Sequence, residues 1–346
     1  MTSLAVLAAL VVGCASLNVE TPSAVAAVDR RKWIGYGATA LALLPTGASR
    51  AAAEAEPSEA ALARVRRGFE AFDARLLRRA EDLFTESIDE WRRLERPRQE
   101  LMSLLVARAN VRTDANEFAP AIADLDEALA LMEAEGAKRD DGTPRFREYP
   151  DALVQRGLAH EGLKEWPLAI RDYDAAIALW GGADARSLVA IARAARSGGP
   201  LGLNPFALVY RGNAKASLRE YDGALDDFRA AEALFAAVER NGARRDDVLA
   251  NEALALYALG RADEAVAIAR RTVTRQPGLT DLHVLLAADA WRRGERETAD
   301  AEWNFACNEI STGCRKYRDP AWLREIRRWP DVLVDAQADF LARRKV

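Results

Sequence analysis

Small, apolar and polar residues recur with helical rather than strand spacing along most of the chain. The stretch "NEALALYALGRADEAVAIARRTVTRQPG", residues 251–278, shows the pattern clearly. Small side chains stand at set intervals on either side of Gly260, and the stretch ends at Pro277. Glycine favours a turn and proline stops a helix, so the stretch predicts an amphipathic hairpin of two helices.

The same arrangement occurs at six places in the chain. Around Ala265, one small residue stands twelve positions earlier, at Ala253, and another seven positions later, at Thr272. The same offsets hold for five further alanines. Each of these is also followed by a bulky residue four positions later, as Ala80 is followed by Phe84. The five further alanines are Ala80, Ala121, Ala169, Ala224 and Ala299.

This spacing has a physical reason in helix packing. A small residue in the first helix lets the second helix lie close, and the bulky residue fills the gap between the two helices. No single hairpin can bury its apolar side alone, so the pattern predicts stacked copies with one continuous core.

The six copies resemble the tetratricopeptide repeat (TPR), whose unit is a helix–turn–helix of about 34 residues. The resemblance implies an all-α fold, an α-solenoid superhelix of about six hairpins over residues 58–310, closed by capping helices in 315–346. The spacing between successive anchor alanines is irregular, from 34 to 55 residues, so some helices are longer or some loops are real insertions.

In TPR proteins the first helices line a groove that takes peptides, and the resemblance carries this role onto matching positions. The chaperone-binding subtype is excluded, because Val209, Asp281 and Leu285 stand where it needs basic residues. The polar side chains that remain at the groove positions are the amides of asparagine and glutamine. They either bond the backbone of an extended ligand or bond locally within the array. The predicted groove residues are Asn110, Gln155, Val209, Asn213, Asn251, Leu254, Tyr257 and Trp291.

Composition supports helix and argues against several functional classes. Half of the residues are apolar and 29% are charged, and the net charge of −4 gives no basic field for nucleic acid. The sequence has no G-x-S-x-G, no P-loop and only two histidines, without metal-ligand spacing. We therefore expect no catalytic residue, no metal and no cofactor; a hydrolase remains a remote alternative.

The first 53 residues resemble targeting signals rather than part of the fold. A short apolar run opens the chain, and the pair Arg30-Arg31 precedes a weakly apolar segment and an A-x-A cleavage signal at Ala51 to Ala53. This order resembles the layered presequence of a thylakoid-lumen protein with a twin-arginine signal. The alternatives are a bacterial envelope protein and an anchor retained at 33–47.

Two features near the carboxyl end leave alternatives open. Cys307 and Cys314 either form a disulfide that ties the cap to the sixth repeat or remain free thiols. The run Arg315–Arg328 holds six basic and two acidic residues. It is either a solvated capping helix or a contact for an acidic partner or anionic lipid headgroups.

Together these features predict a non-catalytic protein-binding scaffold with a protein or peptide partner. Because the chain resembles plastid TPR proteins, we expect it to assist assembly or maintenance of a photosystem complex in the thylakoid lumen. The alternative is a general TPR adaptor in a bacterial envelope or another compartment.

Overall fold

The computed structural model describes residues 58–94, 98–140, 142, 144–146, 148–181, 205–238, 242–310 and 314–344. The targeting residues Arg30, Arg31, Ala51 and Ala53 lie outside the described residues. The chain divides into two compact units, residues 1–182 and residues 183–346.

Unit 1 contains three helical hairpins, and each helix packs against the next one along the chain. The six helices of unit 1 are α1 (Glu59–Asp73), α2 (Leu77–Arg93), α3 (Arg98–Asp114), α4 (Phe118–Ala134), α5 (Glu148–Gly162) and α6 (Trp166–Gly181). Ser58 caps the start of α1, because its side chain accepts a hydrogen bond from the Ala61 amide at 3.1 Å.

Unit 2 contains three further hairpins and a carboxyl-terminal segment. Its hairpin helices are α7 (Pro205–Ser217), α8 (Tyr221–Val238), α9 (Ala243–Ala258), α10 (Ala262–Arg275), α11 (Thr280–Arg292) and α12 (Arg296–Asn304). A π-helical turn, Phe305–Ile310, continues α12. The segment then holds a 3-10 turn (Lys316–Arg318), α13 (Pro320–Glu325) and α14 (Asp331–Arg343).

The turn inside every hairpin has the same backbone design. One residue with positive φ stands two positions before each second helix, and its amide and the next amide bond back to the first helix. In the third hairpin the Lys164 amide donates to the Glu161 carbonyl and the Glu165 amide donates to the His160 carbonyl, both at 2.9 Å. This pattern ends a helix in a left-handed residue. The positive-φ residues are Arg75, Asn116, Lys164, Arg219, Gly260 and Gly294.

The predicted all-α stack of hairpins is confirmed. All six anchor alanines are fully buried. In three hairpins the small residue of the first helix is a glycine that lies against an aromatic ring of the second helix. A Cβ built on Gly212 would come within 2.7 Å of Phe228 Cε1, which is too close for any real side chain. The other glycines of this kind are Gly68, against Phe84, and Gly157, against Tyr173.

The described residues contain neither a strand nor a helix suited to span a membrane. Among them the sole β-type pairing is an isolated antiparallel bridge between Lys138 and Pro144, in the loop between α4 and α5. No helix among them combines the length and apolarity needed to cross a bilayer.

Candidate functional site

In unit 1 the predicted groove positions lie on α3 and α5, two first helices that contact each other. We call Val106, Asn110, Thr113 and Gln155 the unit 1 face. Val106, Asn110 and Gln155 are half-buried, whereas Thr113 is 4% exposed. This face is therefore partly open to solvent along α3 and α5.

Two polar atoms of the unit 1 face have no partner. The Asn110 Oδ1 and Thr113 Oγ1 atoms are buried, and no protein atom of the described residues bonds to either. An unpaired buried polar atom costs roughly 1–3 kcal/mol, so native proteins rarely leave one without a reason. The carbonyl oxygen of Asn110 can accept an N–H, and the hydroxyl of Thr113 can donate or accept.

In unit 2 the two predicted asparagines bond to each other. The Asn251 Nδ2 atom donates to Asn213 Oδ1 at 3.4 Å. Asn251 is 4% exposed and Asn213 is half-buried. Local bonding within the array, one of the two alternatives for these amides, is therefore what the structure contains at this pair.

Tyr257 is held inside the array. Its hydroxyl donates to Asp289 Oδ1 at 2.9 Å and accepts from Arg292 Nε at 2.7 Å. Burial, together with the hydrogen bond to Asp289, raises the pKa of Tyr257 to about 12. Val209 and Leu254 are buried as well, each 5% exposed.

Trp291 is covered by the last helix of the chain. Its Nε1 atom donates to Asp339 Oδ2 at 2.9 Å, and its ring centroid lies 5.5 Å from that of Phe340. The Arg296 guanidinium lies over the other part of the ring, 5.6 Å from its centroid. Trp291 therefore belongs to the contact between α11 and α14.

A stretch before α14 also contacts the first helices of unit 2. Arg327 pairs with Asp281 of α11, with Nε–Oδ1 at 3.0 Å and a second, shorter contact between Nη2 and Oδ2. The Arg328 Nε atom donates to the Ser217 hydroxyl at the end of α7, at 2.7 Å. Burial acts to lower the pKa of Arg327, but the Asp281 carboxylate outweighs it and the pKa is raised.

The run Arg315–Arg328 is largely engaged with the protein itself. Arg318 lies over the Trp303 ring, 5.2 Å from its centroid, and Arg324 pairs with Asp331 and Asp335. With Arg327 and Arg328, four of its six basic side chains therefore contact other residues of unit 2.

Cys307 and Cys314 are joined in a disulfide, with their Cα atoms 5.2 Å apart. Cys307 lies in the π-helical turn after α12, and Cys314 opens the stretch that leads to α13. The bond therefore ties the sixth hairpin to the carboxyl-terminal segment.

A repeated charge cluster was missed by the sequence reasoning. In three hairpins an arginine of the first helix pairs with a buried aspartate of the second helix, sixteen residues later, and another basic residue four positions after the arginine approaches the same carboxylate. In the fourth hairpin Arg211 Nη2 lies 2.5 Å from Asp227 Oδ1, and Lys215 Nζ lies 2.9 Å from Asp227 Oδ2. The equivalent pairs are Arg108–Asp124 and Arg156–Asp172.

The sequence does carry a signal for these clusters. An arginine directly precedes the small residue of the first helix, and an aspartate directly precedes the bulky residue of the second helix. Reading the neighbours of the small and bulky positions would have found the pairs. Their burial between two helices of one hairpin gives them a packing role.

The described residues contain no group of three or more His, Cys, Asp or Glu side chains placed to hold a metal ion. The polar clusters found there are ion pairs and hydrogen bonds between helices.

No protein-family model and no curated protein matches the chain. Among solved structures, it is similar to the nearly identical TPR-like repeats assigned to a kinesin light chain of Podosopora anserina. That match has a TM-score of 0.50 and 12% identity, and covers 62% of this chain and 94% of the other. A single-substitution form of the same repeats matches with a TM-score of 0.51 and 12% identity over 64% and 97% of the two chains.

A tetratricopeptide repeat protein from Parabacteroides merdae matches over 82% of this chain and all of its own, with 15% identity and a TM-score of 0.44. The two matches with higher scores agree with the hairpins and the glycine contacts of this chain. The fold of the chain is therefore an all-α array of helical hairpins of the TPR type.

Proposed function

We propose that the chain is a non-catalytic scaffold that binds a protein segment on the unit 1 face. The observation that carries the proposal is that Val106, Asn110 and Gln155 leave neighbouring first helices partly open to solvent, beside two buried polar atoms that have no partner among the described residues. The amides of the half-buried Asn110 and Gln155 can bond the backbone of a bound segment, and Val106 offers an apolar contact beside them.

Two further considerations support binding rather than catalysis. The buried charges of the hairpins lie in ion pairs between helices, as Arg108 with Asp124 does, and this position explains them without a reaction. TPR-type folds present first helices as a long surface, so a role in binding follows by analogy of fold.

The test compares two variants of the purified chain in a pull-down from a lumen extract. Replacing Asn110 and Gln155 by Ala removes the amides of the two half-buried polar residues of the unit 1 face and leaves the buried Thr113, whereas Asn213→Ala is the matched control in unit 2. We expect the double variant to lose most of its partner and the control to keep it, at equal helical content and thermal midpoint. Recovery of every partner by the double variant would contradict the assignment of this face.

We further propose that the chain acts in the thylakoid lumen and assists assembly or maintenance of a photosystem complex. The support is the tandem of signals in residues 1–53, with Arg30 and Arg31 before the A-x-A signal. Changing both arginines to Lys should block arrival in the lumen, measured by import into isolated plastids. Normal lumenal accumulation of that variant would favour the alternative, a general scaffold in a bacterial envelope or another compartment.

A contact between residues 315–328 and an acidic partner or anionic headgroups has less support. Four of the six basic side chains of this run contact unit 2 itself, so few are left to meet a partner.

A further inference from the structure

Two of the three first helices of unit 2 contain a stretch that is buried on all sides. In α9 every residue from Asn251 to Tyr257 is buried, and in α11 every residue from Leu282 to Ala290 is buried. A helix at the surface of a repeat array normally leaves one side to solvent, as α3 of unit 1 does at Val106 and Asn110. The side of α9 and α11 that would line a groove is therefore covered.

Part of the cover is a stretch that we call the crossing segment, residues 314–330. It contacts α11 through Arg327 and Asp281, and it contacts α7 through Arg328 and Ser217. The charge of Asp247, in the first part of α9, also acts on Arg327. The crossing segment therefore contacts α11 and the end of α7, and the charge of Asp247 in α9 acts on it.

The crossing segment differs from the helix that follows it. Helix α14 packs as a cap, because Phe340 is fully buried between Trp291 and Trp303, with ring centroids 5.5 and 5.9 Å away. Removing α14 would expose Trp303 and more of Trp291. The crossing segment is tied to the π-helical turn after α12 by the disulfide at Cys314, and beyond that its buried side chains are fewer: Leu323, Arg327 and Trp329 are 1%, 5% and 3% exposed.

The crossing segment also has little structure of its own. It holds a three-residue 3-10 turn and the six-residue α13, and helices this short do not persist alone in water. The Arg328 backbone is left-handed, and the Trp329 Nε1 atom is buried without an acceptor among the described residues. Apart from the ring contacts of Tyr317 with Trp322 and Trp329, the segment therefore takes its shape from the residues on which it packs.

We propose that the crossing segment is a built-in occupant of the side of α11, and of the adjoining end of α7, on which it packs. A partner segment that presents an arginine close to an aromatic residue, as Arg327 and Trp329 do, can take its place. The proposal shares with the proposed function the premise that first helices bind chain segments, but it concerns unit 2 and a different ligand chemistry.

The requirement for arginine follows from Asp281. Its side chain is 14% exposed, and both of its oxygens are engaged by the guanidinium of Arg327. An incoming segment without a cation would leave this carboxylate covered and uncompensated, which disfavours binding. A lysine offers a point charge in place of the planar fork that matches a carboxylate, so arginine is preferred.

The experiment uses the full chain and a labelled synthetic peptide with the sequence of residues 319–332, followed by fluorescence anisotropy. The chain variant Arg327→Met weakens the internal occupant and keeps the apolar part of the side chain. We expect it to bind the peptide at least about tenfold more tightly than the unmodified chain does. A control peptide carrying the same Arg→Met change should bind about tenfold more weakly than the native peptide.

Asp281 is tested in the same assay. Adding Asp281→Asn to the Arg327→Met chain should abolish the preference between the two peptides. Absence of peptide binding to the folded Arg327→Met chain, or equal binding of both peptides to it, would overturn the proposal. Retained binding at the unit 1 face in that case would leave the proposed function standing.

A second measurement needs no variant, in case Arg327→Met does not fold. In the unmodified chain, hydrogen exchange at the amides of Leu323, Ile326 and Trp329 reports opening of the crossing segment, since all three bond within it. We expect these amides to exchange at least about tenfold faster than those of α11. Exchange at the same rate as α11 would mean that the segment leaves only on global unfolding, and the proposal would be wrong.

Discussion

Gly212 and Phe228 are so close that a Cβ built on the glycine would come within 2.7 Å of the ring atom Cε1. The two residues stand sixteen positions apart, on the first and second helix of one hairpin. The same relationship recurs at Gly68 and at Gly157. Close approach of the two helices is therefore built into the small and bulky positions of the sequence.

Replacing Gly212 by Ala should destabilise the chain by about 1–3 kcal/mol, because the added methyl group pushes the fully packed ring away. In a Phe228→Leu background the same replacement should cost less than about 1 kcal/mol, since the ring is gone. Chemical denaturation of the four chains of this cycle measures both values. An equal cost in both backgrounds would show that the ring is not what excludes the methyl group.

Two other glycines should respond to the same replacement with opposite signs. Gly260 ends α9 with φ of +77°, a conformation that costs a residue with a Cβ about 1 kcal/mol or more. Gly223 lies in the first turn of α8, and a Cβ there would come within 3.3 Å of the flexible Lys215 side chain, which must shift slightly. Ala is otherwise favoured over Gly in a helix by roughly 0.5–1 kcal/mol. Gly260→Ala should therefore lower the thermal midpoint and Gly223→Ala should raise it. A shift in the same direction for both would contradict this account of the turn.

Removing one partner of the buried pair Arg211–Asp227 should destabilise the chain more than replacing both partners by apolar residues. Asp227 is 1% exposed, so Arg211→Met alone leaves a buried carboxylate with Lys215 as its remaining cation. We expect a loss of up to about 3 kcal/mol in the free energy of unfolding. The double variant Arg211→Met, Asp227→Leu should recover most of that loss. A double variant no more stable than Arg211→Met alone would contradict this expectation, and would show that the ion pair stabilises the hairpin more than apolar replacements do.

Tyr257 should make the chain sensitive to alkaline pH. Its pKa in the folded chain is raised to about 12, above the ordinary value of about 10 for an unfolded tyrosine. The stabilisation is therefore complete below about pH 10 and is lost as the pH rises towards 12. Unfolding of the native chain and of Tyr257→Phe across this range measures the effect. The variant should show a shallower fall in stability, and identical pH profiles would contradict the assignment.

The sequence predicts the fold better than it predicts the site. The small and bulky positions have a direct steric meaning, so Ala80 or Ala265 can be assigned to a buried contact from spacing alone. The exposure of a groove position depends on what covers it. The surroundings of Trp291 are decided by Asp339 and Phe340 of α14, almost fifty residues further along, and nothing in the repeat spacing indicates that contact.

The charge pairs illustrate a second limit. The number of Lys, Arg, Asp and Glu residues predicts charged side chains on a solvated surface. Arg108 and Asp124 are instead buried between two helices. Which charges pair depends on their register relative to the small positions. That register is present in the sequence, because Arg108 directly precedes the small position and Asp124 directly precedes the bulky one, but charge counts alone do not contain it.

The central claim is that a protein segment binds on the unit 1 face. It is tested most directly by photo-crosslinking from Val106, with the exposed Arg93 of α2 as the control position, in a lumen extract. We predict a discrete adduct from Val106 that disappears when Asn110 is changed to Ala, and no such adduct from Arg93. No adduct from Val106, or the same adducts from both positions, would contradict the claim.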